Sequence, residues 1–161
     1  MDRPICAGVI GLLAAVLLCA GPGAFAWDHV KFDLPSGSRE SLWRDALARH
    51  LGGTTELKTK VGRVDVATSN EVFEIDRPNK WKEGMGQALA YAGETGRKPV
   101  LVLMSYSQGP ENLIARSRAT FDQAEKECAR HGVRLLILFP TLPEPPHPST
   151  NHTASVPKPA P

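Results

Sequence analysis

The stretch that decides the fold is "GRVDVATSNEVFEIDRPNKWKEGMGQALAYAG", residues 62–93. It begins with two segments in which polar and apolar residues alternate, and a polar pair at positions 69 and 70 separates them. This pattern predicts a β-hairpin with a two-residue turn. In that register Val64 faces Ile75 and Val66 faces Phe73, so one face of the hairpin is apolar. A slip by one residue would lose this sorting.

The opposite face of the predicted hairpin is charged. There Asp65 faces Glu74, and Arg63 faces Asp76. Two carboxylates directly opposite each other lie about 5 Å apart at Cβ and repel. A cation between them offsets the repulsion, and oxygen ligands suit Mg²⁺ or Mn²⁺. The predicted metal ligands are therefore Asp65, Glu74 and Asp76, together with Glu56 on the same face of the preceding strand.

A simpler interpretation of the same face needs no metal. Lys58, Lys60 and Arg63 lie near these acids in the sequence and can pair with them on a solvated sheet face. Surface ion pairs of this kind are common and contribute little to stability. Residue types alone leave both interpretations open.

The segment after the hairpin predicts a helix that begins at Pro78 and runs to about residue 92. Steps of seven and eleven residues are close to whole helical turns, so Lys80, Gln87 and Tyr91 share one stripe, with Gly84 between them. A helix beside a metal–phosphate site would use these three side chains as donors. The alternative is a polar shoulder at the edge of a core-facing stripe. That apolar stripe consists of Trp81, Met85, Ala88 and Ala92.

The rest of the chain predicts an α/β domain. Residues 36–53 read as a helix capped by Ser36 or Ser38 and ended by Gly52-Gly53, and residues 54–61 alternate as a strand. Two continuous apolar runs, 98–106 and 133–139, are typical of strands covered on both faces, and the segment between them reads as a long amphipathic helix. The predicted order is α-β-β-β-α-β-α-β, a mixed central sheet flanked by helices in a single domain, residues 27–139.

Both ends of the chain differ from this domain. Residues 1–26 have the layout of a secretory signal peptide, with Arg3, an apolar run and an Ala24-Phe25-Ala26 exit, so cleavage is expected before Trp27. We therefore expect an exported protein, periplasmic or secreted, with no stable membrane insertion after cleavage. Its remaining cysteine, Cys128, then has no intramolecular disulfide partner.

The last segment, residues 140–161, holds eight of the fourteen prolines and predicts a disordered tail. The formal net charge of +2 does not predict a basic field over the whole molecule.

The layout resembles the PD-(D/E)xK nuclease superfamily, whose core is α-β-β-β-α-β with an acid on the second strand and an acid-x-lysine on the third. Asp65 matches the first acid and Glu74 the second, and "QALAY", residues 87–91, resembles the Q-x-x-x-Y signature of the RecB-like exonuclease branch. The resemblance covers about residues 38–105 and implies a restriction-endonuclease-like fold. It departs from the family at Asp76, which occupies the position of the motif lysine.

Two lysines can replace the missing one. Lys80 lies one turn into the predicted helix, and Lys58 would face Asp65 if the first hairpin turned at positions 61 and 62. Asp76 can also act as a third metal ligand.

Three hypotheses follow for the function. The first is an exported Mg²⁺- or Mn²⁺-dependent nuclease that hydrolyses phosphodiester bonds, with DNA favoured over RNA as the partner. Lys80 would then orient the water or the scissile phosphate, Gln87 and Tyr91 would contact metal-bound water or the backbone, and Lys58, Lys60 and Arg63 would contact nucleic acid. The second is a catalytically inactive binding module on the same fold, closed by an Arg63–Asp76 ion pair. The third is a small exported α/β domain of unrelated function.

Overall fold

The computed structural model describes residues 27–144. The predicted signal peptide, residues 1–26, lies outside the described residues, as do residues 145–161 of the predicted tail. Within the described part, no helix is both long and apolar enough to cross a membrane. The strands are β1 Asp28–Pro35, β2 Thr54–Lys58, β3 Arg63–Ala67, β4 Glu71–Asp76, β5 Lys98–Met104 and β6 Arg134–Leu142. The helices are α1 Glu40–Leu51, α2 Trp81–Thr95 and α3 Ala115–Arg130, and short 3-10 turns at Pro78–Lys80 and Pro110–Asn112 precede α2 and α3.

The six strands form one mixed sheet in the order β1-β6-β5-β4-β3-β2. Strands β4, β5, β6 and β1 run parallel, whereas β3 is antiparallel to both β4 and β2. The predicted α/β class and mixed sheet are confirmed. The predicted element order was wrong in one respect, because it lacked the edge strand β1. The alternation of Val30, Phe32 and Leu34 with charged residues is the sequence signal for that strand.

Helices cover both faces of the sheet. On one face α1 packs Trp43 and Leu47 against Phe73 and other residues of the central strands. On the other face Trp81 of α2 and Phe121 of α3 pack against β5 and β6. The interior of β5, residues 100–103, is fully buried, as its continuous apolar run predicts.

The hairpin between β3 and β4 turns where the sequence places it. The Thr68 N–H donates to the Glu71 carbonyl over 3.0 Å, which closes a two-residue turn at positions 69 and 70. Val66 pairs with Phe73, as predicted, and position 67 pairs with position 72. The predicted register is confirmed at these pairs.

The predicted sorting of side chains fails further from the turn. Val64 packs in a cluster with Tyr91 of α2, whereas Ile75 belongs to the cluster beneath α1. These two residues therefore do not share one apolar face. Strand β2, on the other side of β3, has an irregular backbone at this level, because Glu56 has a positive φ of 58°. A local distortion of this kind re-aims side chains in a way that simple alternation does not capture.

The ends of the elements show two further differences. Helix α1 has Arg39 at its N-cap with no side-chain cap, and Ser38 Oγ donates instead to the Pro35 carbonyl over 2.7 Å. The predicted serine cap was therefore wrong, whereas the predicted stop is confirmed by Gly52, which adopts a left-handed φ of 63°. Strand β6 continues through Leu142, three residues beyond the predicted domain boundary at 139, because its end pairs with Pro35 of β1.

Candidate functional site

Asp65 lies on β3 where the ladder with β4 stops. In an antiparallel ladder every second residue pair is joined by backbone hydrogen bonds. Counted from the turn, residues 64 and 75 would form such a pair, with the Ile75 N–H donating to the carbonyl of residue 64. Asp65 Oδ2 accepts that N–H instead, over 2.8 Å. Burial raises the pKa of Asp65 to about 6, and the hydrogen bond from Ile75 opposes this shift. The carboxylate thus holds the two strands together at the edge of the site.

Glu74 is the most unusual carboxylate of the described structure. Its residue is 8% exposed, and its Oε2 has no hydrogen-bond partner among residues 27–144. Burial first, and then the charges of Asp65 and Asp76, raise the pKa of Glu74 to about 9. Without a cation the group therefore keeps its proton at neutral pH. A buried carboxyl oxygen with no partner costs free energy, and a bound cation would remove that cost.

Asp76 is the third carboxylate of the site and lies beside α2. It is 9% exposed, and its Oδ1 accepts the backbone N–H of Arg77 over 2.7 Å. Burial raises its pKa, and the nearby charge of Lys80 opposes the shift. Helix α2 approaches closely at Gly84, where a Cβ would lie 3.2 Å from the Asp76 Cβ. A side chain at position 84 would push the helix away from the carboxylates.

A fourth acid, Glu40, was missed in the sequence. It lies in the first turn of α1, and its charge raises the pKa values of both Asp65 and Glu74. An acidic residue in the first turn of a helix is common for reasons of helix stability alone. Only the packing of α1 over β3 and β4 distinguishes Glu40, so the sequence carried no signal for it.

The predicted helical stripe is only partly formed. Lys80 precedes α2 in the 3-10 turn, is exposed, and pairs with Glu83 over 3.6 Å. Gln87 is exposed, whereas Tyr91 is buried at 5% exposure. Lys80, from the 3-10 turn, and Tyr91, from α2, therefore lie near the carboxylates, whereas Gln87 is exposed to solvent.

Tyr91 contacts the backbone that leads into β3. A Cβ at Gly62 would lie 2.8 Å from its hydroxyl oxygen, and the Arg63 backbone N–H forms a hydrogen bond with that oxygen. Burial and the charges of Glu74 and Asp65 raise the pKa of Tyr91. The tyrosine thus fixes the start of the strand that carries Asp65, and glycine at position 62 leaves room for its ring.

Glu56 does not join the other carboxylates as a ligand. It forms ion pairs with Arg44 of α1 and with Arg63, the latter over 2.8 Å. The predicted Arg63–Asp76 ion pair was therefore wrong, because Arg63 forms its ion pair with Glu56 on β2 instead. Lys58 pairs in register with Arg63 and not with Asp65, so the predicted placement of Lys58 was also wrong.

The three basic side chains predicted to contact nucleic acid, at positions 58, 60 and 63, are all exposed. The turn between β2 and β3 is held against α2, because the Glu94 carboxylate accepts hydrogen bonds from the backbone N–H groups of Lys60 and Val61 over 2.6 and 3.1 Å.

The residues that could hold a divalent cation are few. No group of three or more His, Cys, Asp or Glu side chains is arranged to hold a metal among residues 27–144, so the four predicted carboxylates do not form one ligand set. Mg²⁺ needs only one or two carboxylates when water and substrate phosphate complete its coordination. Glu74, with its unpartnered buried oxygen, and Asp65, whose charge acts on it, are the two carboxylates that could provide them.

Two proteins of Acanthamoeba polyphaga mimivirus are similar to this chain. The putative KilA-N domain-containing protein L33 is 29% identical over 103 residues, which is 63% of this chain and 38% of that protein. The putative KilA-N domain-containing protein L32 is 46% identical over 62 residues, 38% of this chain and 17% of that protein. The chain thus spans well under half the length of either relative. No family model matches the chain, and no solved structure matches it.

Proposed function

We propose that the domain binds nucleic acid and hydrolyses its phosphodiester bonds with the help of Mg²⁺ or Mn²⁺. The observation that carries the proposal is the Glu74 carboxyl group, which is buried beside Asp65 with one oxygen unpartnered. Buried acids with strongly shifted pKa values are concentrated at functional sites. The Glu125 Oε2 is also buried without a partner in the described residues, but the charges of two further acids on neighbouring positions, Asp65 and Asp76, act on Glu74.

A nucleic-acid partner is supported by the two viral relatives. Both are named for a KilA-N domain, which is a DNA-binding domain. The exposed cations next to the carboxylates, Arg77 and Lys80, provide the positive charge that a phosphate backbone requires. DNA as the preferred polymer is part of the proposal.

The chain's own residues have separate tasks in this mechanism. Asp65 and Glu74 would hold the cation, and Glu74 must first lose its proton. A bound Mg²⁺ or Mn²⁺ supplies an acidified water and stabilises charge on the phosphate. Lys80, exposed beside Asp76, would bind the scissile phosphate in place of the motif lysine. Tyr91 keeps β3 in position and does not need to contact the substrate.

A cleavage assay tests the proposal. The full chain is incubated with labelled single-stranded and double-stranded DNA and RNA in Mg²⁺, Mn²⁺ or EDTA. We expect metal-dependent cleavage that is lost in Glu74→Gln and Asp65→Asn, and kept in Glu125→Gln. Glu125 is a matched control because its Oε2 is also buried without a partner, but on α3. Cleavage that persists in both site variants would refute the assignment of the site.

Binding without cleavage is the second candidate function. Asp76 at the position of the motif lysine is the observation that favours it. In that case the wild-type chain would bind DNA but leave it intact in both metals, and Lys80→Ala would weaken binding only slightly.

Export is also part of the proposal. It depends on residues 1–26, and fractionation of cells expressing the full chain tests it. We expect the protein outside the cytoplasm, starting at Trp27, and intact protein retained in the cytoplasm would contradict export.

A further inference from the structure

An exposed aromatic side chain, Tyr106, lies in the loop that follows β5. We propose that Tyr106 stacks against an unpaired base of single-stranded nucleic acid next to the carboxylates, while Arg77 binds the adjoining phosphate. This inference rests on the proposed function and names the form of nucleic acid that the site takes.

The position of Tyr106 follows from the sheet. Asp76 pairs in register with Leu103, and Tyr106 follows Leu103 by three residues, just past the end of β5 at Met104. It therefore lies at most roughly 10 Å beyond the level of Asp76. Tyr106 shares a cleft with Arg77, which directly follows Asp76, and with Glu40, whose charge acts on Asp65 and Glu74. A base on the ring would therefore belong to a nucleotide that flanks the reacting phosphate.

The loop presents the ring on a fixed backbone. The Tyr106 carbonyl accepts a hydrogen bond from Ser36 Oγ over 2.7 Å. The next residue, Ser107, donates its N–H over 3.1 Å to Ser105 Oγ, and Ser105 is 3% exposed. Tyr106 itself is nevertheless 57% exposed. A rigid loop with an exposed ring loses little entropy when a partner stacks on it.

The size of the cleft determines how a base can bind. Its volume is about 40 Å³, which is enough for one or a few water molecules and far too small for a base. A base must therefore lie on the outer face of the Tyr106 ring. Bases inside a duplex already stack on both neighbours, whereas an unpaired base has a free face.

The charge of the surrounding residues agrees with this binding mode. Arg77 is exposed, lines the cleft with Tyr106 and acts on Asp76 through its charge, so it can neutralise a phosphate that would otherwise meet Asp76. An aromatic platform next to a cation is the usual arrangement for binding single strands without sequence preference.

Oligonucleotide binding tests the inference. The full chain, kept in EDTA at fixed salt to prevent cleavage, is titrated into a fluorescent single-stranded oligonucleotide and into a small, relaxed, covalently closed circular duplex, which has neither unpaired bases nor ends. We expect Tyr106→Ala to weaken single-strand binding about tenfold, the effect of losing one stacked base. Tyr106→Trp should retain single-strand binding, and duplex binding should not change in either variant. Ile114→Ala is the control, because Ile114 is 67% exposed and lies at the other end of the segment that connects β5 and α3.

Three results would overturn the inference in distinguishable ways. If wild type binds oligonucleotides and Tyr106→Ala binds single strands equally well, stacking is refuted and the proposed function survives. If wild type binds neither oligonucleotide, the proposed nucleic-acid partner and the stacking site both fail. Equal weakening for single strands and duplex would show a general effect of the substitution and would also refute stacking.

Discussion

The protonated Glu74 has a direct consequence for stability in the absence of metal. Its pKa is raised from 4.5 to about 9 in the folded protein. Between these values the folded chain keeps a proton that the unfolded chain has lost, so stability must fall as pH rises. Each pH unit in this window corresponds to about 1.4 kcal/mol. From about pH 5 to about pH 7 the contribution of Glu74 therefore decreases by about 3 kcal/mol.

The variant Glu74→Gln isolates this contribution, because glutamine has a similar shape and does not titrate. The free energy of unfolding is measured by urea denaturation of the full chain in EDTA at several pH values. We expect the stability of wild type relative to Glu74→Gln to fall by about 3 kcal/mol between about pH 5 and about pH 7. Glu71→Gln on the same strand controls for the loss of a carboxylate outside the site. Parallel pH curves for wild type and Glu74→Gln would refute the burial and mutual repulsion on which the site is built.

Three further predictions concern the elements around the carboxylates. Gly84→Ala places a Cβ 2.9 Å from Leu101 Cδ1 and should lower stability by about 1–3 kcal/mol in thermal unfolding. Gly86→Ala on the same helix has nothing within 4 Å and should be neutral or slightly stabilising, so equal losses in both variants would contradict the close approach. Tyr91→Phe removes the hydroxyl that bonds to the backbone of β3 and should cost about 1 kcal/mol in urea denaturation, whereas an unchanged midpoint would show that this bond contributes nothing. Lys80→Ala should reduce cleavage at least tenfold without changing thermal stability, because its exposed ion pair contributes little, and full activity in this variant would exclude Lys80 as the replacement lysine.

Much of the fold could be predicted because local rules decide it. The turn at positions 69 and 70, the buried run of β5 and the glycine end of α1 each depend on residues close together in the sequence. Strand β1 carried the same kind of alternating signal and was overlooked beside the predicted cleavage site. Its pairing with β6, more than 100 residues away, also explains why β6 extends past residue 139.

The site was harder to predict because its geometry depends on non-local packing. The register correctly brought Asp65 and Glu74 to neighbouring strands, but alternation could not show that Asp65 would replace a ladder hydrogen bond. The placement of α1 brings Glu40 toward the carboxylates and Arg44 onto Glu56. Because Glu56 pairs with Arg44, it does not join the predicted metal ligands. Helical spacing alone also could not distinguish the exposed Gln87 from the buried Tyr91.

Calorimetric titration of the metal-free full chain with Mn²⁺ tests the central claim most directly. The titration is run at about pH 7.5 in two buffers that differ in protonation enthalpy, which reveals protons released on binding. Because the pKa of Glu74 is about 9 without metal, we expect one ion per chain and about one proton released per ion. Binding should be lost in Glu74→Gln and kept in Glu125→Gln. Absence of Mn²⁺ binding in wild type, or binding that is unchanged in Glu74→Gln, would contradict a cation site at Asp65 and Glu74.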